Sequence, residues 1–184
     1  TIRRKTELGV KVIFCDFPCM DTDAAKYKFA VRKIGCLSGL KDGDMVFTSD
    51  LGYPEGFPRT GVFDLFTLSN LFICPSYSES FGLTVLEAAS RGNFLVVNEA
   101  VPALEELGKK LKAYFMRWDA RNFGFDTKEV YRPSEGAYME EHAQRIADMM
   151  RDNPVLFSKT QARQKFCPDW IWYNQLEPLL NEKA

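Results

Sequence analysis

Short apolar runs alternate along the chain with longer stretches in which apolar residues recur every three or four positions. The runs at 11–16 (KVIFCD), 45–49 (MVFTS), 71–74 (LFIC), 94–98 (FLVVN) and 113–118 (AYFMRW) are rich in β-branched and aromatic side chains and mostly unalternating. That is the pattern of parallel strands covered on both faces. The stretches 23–37, 63–68, 83–91 and 102–107 read as helices. The first opens on the capping candidates Asp21, Thr22 and Asp23. The third and fourth are expected to stop at Gly92 and Gly108, because a glycine takes up the left-handed turn after a helix without strain. This alternation predicts an α/β fold with a doubly wound, Rossmann-like parallel sheet.

The pattern changes after Trp118. Residues 119–137 have no clear period and read as a long surface loop. Three consecutive helices are then expected at 139–152, 155–165 and 169–181, set apart by Pro154 and Pro168, since proline starts helices rather than continuing them. The division expected is a Rossmann-like domain over 1–166 and a C-terminal helical extension over 167–184. The run Trp170-Ile171-Trp172-Tyr173 is apolar nearly all round a helix and calls for cover on more than one side.

Bulk properties narrow the function classes. With 24 basic and 25 acidic residues the net charge is −1, so no global field draws the chain to nucleic acid or an anionic membrane. No apolar run is long enough to span a bilayer. Cys15, Cys19, Cys36, Cys74 and Cys167 are odd in number and lack finger spacing, and there is one histidine, His142. Free thiols in a reducing, cytoplasmic compartment are expected, and no metal site. The start at Thr1 rather than Met is that of a fragment or a processed chain.

Ligands of open parallel sheets bind beyond the carboxyl ends of the strands. The informative loop is the one after Cys74. Gly82 lets a backbone approach a ligand closely, and the helix that follows offers unpaired amides and a favourable dipole to a phosphate. Glu79 precedes that helix, and Glu87 lies about a turn inside it in an otherwise apolar stretch. Ligand hydroxyls would suit both carboxylates. An ion pair of Glu87 with Arg91 and a solvated Glu79 would account for them equally.

The segment Pro75, Ser76, Glu79, Phe81, Gly82, Glu87, Ala88 resembles the donor-site signature of the retaining GT-B glycosyltransferases of group 1, which include bacterial glycogen synthases and sucrose synthases. The resemblance extends over nearly the whole chain and implies the C-terminal, nucleotide-sugar-binding domain of such an enzyme. It implies that Glu79, the catalytic candidate, contacts the donor sugar's hydroxyls. The backbone at Ser80, Phe81, Gly82, Leu83 and Thr84 would hold sugar and diphosphate, and Glu87 would accept from the ribose hydroxyls. The partners implied are a nucleotide-diphosphate sugar, as donor substrate rather than cofactor, and an acceptor-binding N-terminal domain outside this chain. The chain alone is expected to be inactive, and a homo-oligomer is possible.

Two departures stand against this pattern. Asn98-Glu99-Ala100-Val101-Pro102 occupies the place of the family's Gly-Gly, and Glu99 would repel a phosphate if it pointed inward. The family's basic pair follows a strand expected upstream of Thr1; Arg3 and Arg4 read as surface residues of a preceding helix. Rival readings are a non-catalytic nucleotide-sugar-binding or scaffold domain and a GT-B epimerase or hydrolase. Ser78 and Ser80 lack the Gly-x-Ser-x-Gly elbow of a hydrolase. Asp16 closes a strand, as a phosphoacceptor would in a receiver domain. Residues 53–59 (YPEGFPR) would line a base pocket or form an ordered aromatic loop. His142 reads as an exposed helical residue.

Overall fold

A computed structural model of the chain describes residues 9–16, 23–53, 56–118, 133–151 and 155–181. It divides into two compact units, one built from residues 1–64 and 133–151 and the other from 65–132 and 152–184.

In the first unit, strand β1 (Val12–Phe14) pairs in parallel with β2 (Met45–Phe47) through helix α1 (Ala24–Leu37). Of the three capping candidates, Asp23 caps α1: its carboxylate accepts from the amides of Ala25 and Lys26 at 3.0 and 3.1 Å. Asp21 and Thr22 lie outside the described residues. Phe14 and Phe47 stack with their centroids 4.7 Å apart. A 3-10 turn, Thr48–Leu51, follows β2 at once, so this strand ends two residues sooner than its composition implied. Helix α2 (Arg59–Leu68) begins four residues before Phe63. Helix α5 (Pro133–Arg151) begins at Pro133, so the expected loop is shorter by the five residues 133–137. Its remainder, 119–132, lies outside the described residues. Proline at the first helical position removes an amide that would have had no partner there.

The second unit holds a three-stranded parallel sheet in the order β3-β4-β5, with β3 (Leu71–Cys74), β4 (Phe94–Asn98) and β5 (Tyr114–Met116). The register sets Cys74 opposite Val97 and Asn98 opposite Met116. The α/β class with parallel sheets stands; among the described residues the strands pair as one two-stranded and one three-stranded sheet. Among the described strands, cover on both faces is complete only for β4, all five of whose residues are buried. Ile13 of β1 and Ile73 of β3 are exposed, and among the described residues each of these strands pairs on one side only.

Helix α3 (Leu83–Arg91) packs on β3, β4 and helix α6 (Val155–Lys165). Val85, Ala88 and Ala89 form its buried face, and small side chains there let the helices approach closely. Gly92 ends α3 as the sequence implies, left-handed with φ 94°. Asn93 follows, fully buried, and its amide donates to the carbonyls of Phe66 and Ala88 at 2.7 and 3.1 Å.

Helix α4 (Pro102–Leu111) passes through Gly108 and ends at Lys112, which takes the left-handed turn itself with φ 54°. Gly108 serves packing, not termination. A Cβ there would stand 2.8 Å from two ring carbons of Phe115 and 3.0 Å from Cγ2 of Val97. Ser158 of α6 donates to the carbonyl of Leu111 at 2.7 Å, satisfying one of the helix's last acceptors. The expected helix at 169–181 is three segments: α7 (Pro168–Ile171), a π turn (Trp172–Leu176) and α8 (Glu177–Asn181). No helix among the described residues is long and apolar enough to cross a membrane.

Candidate functional site

The loop after β3 runs from Pro75 to Gly82 and is held at three points. The side-chain amide of Asn98 donates to the carbonyl of Ser76 at 3.1 Å. The hydroxyl of Ser76 donates to Oε1 of Glu79 at 3.2 Å. Gly82 is buried and left-handed, with φ 83° and ψ 45°. A Cβ at Gly82 would lie 3.0 Å from Cδ2 of Leu104 and 3.4 Å from Cδ2 of Leu107, so the helix start is seated against α4.

Gly82 is the N-cap of α3 and has no side chain to close it. Its carbonyl accepts from the amides of Val85 and Leu86 at 3.0 and 3.3 Å. The amides of Leu83 and Thr84 precede these and have no acceptor within the helix, so they are available to an anion at the positive end of the dipole.

The proposed site residues are therefore placed as follows. Glu79 is half-buried in the loop, and Ser80 and Phe81 are exposed. Leu83 and Thr84 are exposed in the first turn of α3, and Glu87 is half-buried one turn further on. Glu87 lies four residues after Leu83, so both fall on one side of the helix, away from the buried Val85, Ala88 and Ala89. Along the chain, the loop after β3 and the first turns of α3 thus carry one acidic residue before the helix-start amides and a second one turn beyond them.

Residues 53–116 match the family model of the glycosyl transferases group 1. The matched segment runs to the last residue of β5 and takes in every one of these positions. It supports glycosyl transfer in general terms. No curated protein matches the chain.

Within the matched segment, Asn98 is the residue whose part the sequence left unread. It is fully buried, and besides holding Ser76 its Oδ1 accepts from the amides of Ala100 at 3.0 Å and Trp118 at 3.1 Å. Glu99, feared as a repulsive charge, is exposed, and its carboxylate lies 3.8 Å from the Arg117 guanidinium. Tyr53 and Phe57 meet edge to face at 4.8 Å, and Pro54 and Glu55 between them lie outside the described residues.

Outside the matched segment, Asp16 lies two residues beyond the end of β1 rather than closing it, and its carboxylate is already engaged. It accepts from the hydroxyls of Thr48 and Ser49 at 3.1 and 2.6 Å and from the Ser49 amide at 3.0 Å. Lys28 stands 3.8 Å away. Burial raises the Asp16 pKa, yet the Ser49 and Thr48 hydrogen bonds and the Lys28 charge outweigh it and hold the group below its ordinary value. His142 is half-buried rather than exposed, its ring 4.0 Å from that of Tyr138. Cys15, Cys36, Cys74 and Cys167 are free thiols, and Cys19 lies outside the described residues.

Proposed function

We propose that this chain is the donor-binding domain of a nucleotide-sugar-dependent, retaining glycosyltransferase. One observation carries the reading. Inside the segment that matches the glycosyl transferases group 1 model, a left-handed, buried glycine opens a helix between two acidic residues at the carboxyl end of a parallel strand. The amides of Leu83 and Thr84 receive the diphosphate. Glu79, steadied by Ser76, accepts from the donor sugar's hydroxyls, and Glu87 accepts from the ribose. The chemistry required of the domain is orientation of the donor and stabilisation of the departing diphosphate, not proton transfer. The acceptor is held by a separate domain.

Titration calorimetry of the chain with UDP-, ADP- and GDP-glucose tests the reading. Saturable binding of one of them, weakened by Glu87→Gln, supports it; no binding of any overturns it. A second reading, a binding or scaffold domain without turnover, is favoured by Asn98, a buried and fully engaged side chain where the family has glycines. Sugar transfer by the longer parent protein, or its absence, separates the two.

A further inference from the structure

We propose that Asn98 is a positioning residue that locks the candidate donor loop and, through Ser76, aims the carboxylate of Glu79. This rests on the donor-binding reading of Glu79 given above. The side chain is fully buried at the end of the central strand β4. Its Nδ2 donates to the Ser76 carbonyl just beyond β3, at 3.1 Å. Its Oδ1 accepts from the Ala100 amide just beyond β4, at 3.0 Å, and from the Trp118 amide just beyond β5, at 3.1 Å. One planar group therefore ties together the carboxyl ends of all three strands of the sheet.

The orientation of the amide follows from its neighbours: two N–H groups face one atom, which must be oxygen, and a carbonyl faces the other, which must be nitrogen. Aspartate offers no donor when ionised, and a hydroxyl cannot span the same three partners with one atom. The relay then passes from Ser76, whose hydroxyl donates to Glu79 Oε1 at 3.2 Å. Asn98 touches no ligand in this scheme. It acts by restricting the conformations open to residues 76–82, so that the entropy of ordering the loop is lost on folding rather than on binding.

The test compares the wild-type chain with Asn98→Asp, which keeps an acceptor for Ala100 and Trp118 and sets an ionised oxygen against the Ser76 carbonyl in place of the donor. Hydrogen exchange without ligand reads loop order. Calorimetry with whichever of UDP-, ADP- and GDP-glucose the wild type binds reads the consequence. The expected result is faster exchange over residues 77–82 and a Kd raised roughly tenfold, the effect of about one hydrogen bond. In a Glu79→Ala background the same substitution should then cost less than in the wild type, because the part of the path that runs through Glu79 is already cut. Affinity of the Asn98→Asp variant should also recover as pH falls, since a neutral carboxyl regains an O–H donor.

Unchanged exchange over 77–82 in a folded variant, or losses that simply add to those of Glu79→Ala, would overturn the proposal. If Asn98→Asp does not fold, Ser76→Ala carries the test. It keeps the Asn98 contact to the backbone and cuts the link to Glu79 together with a contact from the Cys74 thiol at 3.6 Å, and its binding loss must likewise shrink in the Glu79→Ala background. A wild type that binds none of the three sugars refutes the donor-binding reading, and the exchange measurement still decides whether Asn98 orders the loop.

Discussion

Gly82 is seated against Leu104 so closely that a Cβ at this position would come within 3.0 Å of the leucine's Cδ2. The same glycine holds a left-handed backbone with φ 83°. Both features exclude a side chain, one by space and one by backbone geometry. Gly82→Ala is therefore expected to destabilise the protein by about 1–3 kcal/mol. Urea unfolding measures it, and a loss of a few tenths at most would show that the turn relaxes freely.

Gly108 tests the opposite intuition. In the interior of a helix, glycine to alanine ordinarily gains up to about 1 kcal/mol. Here the added methyl would meet the Phe115 ring and Val97 in a packed layer. Overpacking of this kind costs about 1–3 kcal/mol and should win. A more stable Gly108→Ala protein would mean that α4 lifts from the sheet at little expense.

Asp16 predicts an acid-dependent stability. Its folded pKa is depressed below the ordinary value, burial being outweighed by the Ser49 and Thr48 hydrogen bonds and by Lys28. The stabilisation is thus complete above the unfolded pKa of about 3.9 and is lost as pH falls through the lower folded value. Asp16→Asn should lower the melting temperature at neutral pH, and the gap to wild type should close in acid. A gap independent of pH would assign the effect to packing alone.

Glu87→Gln keeps the size of the side chain and removes its charge. If Glu87 accepts from ribose hydroxyls, nucleotide affinity should fall by about 1.5–3 kcal/mol with little change in melting temperature. Unchanged affinity with a lower melting temperature would assign Glu87 a structural role.

The C-terminal helical segments expose Trp172, Tyr173, Leu176, Leu179 and Leu180, the last two above 60 %. Exposed apolar groups in such density favour association. Sedimentation of the chain should depend on concentration, and Leu176→Glu with Leu180→Glu should abolish that dependence. A monomer at all concentrations would sink the prediction.

Local physics was legible in the sequence wherever one residue type has one strong preference. The apolar runs became strands because short β-branched and aromatic segments bury best in a sheet, and Asp23 and Gly92 closed their helices by capping chemistry that acts within a few residues. The spacing of Glu79, Gly82 and Glu87 was likewise visible, since a loop followed by a helix start is a local arrangement. Gly108 misled because a glycine has two uses, and only its tertiary neighbours, Phe115 and Val97, show that it makes room rather than a turn. Asn98 read as a departure from a pattern for the same reason. Its partners, Ser76 and Trp118, lie 22 and 20 residues away in the chain. Periodicity and spacing describe neighbours along the chain, whereas a buried amide is defined by the groups that packing brings to it, and those were set only when three strands ended side by side.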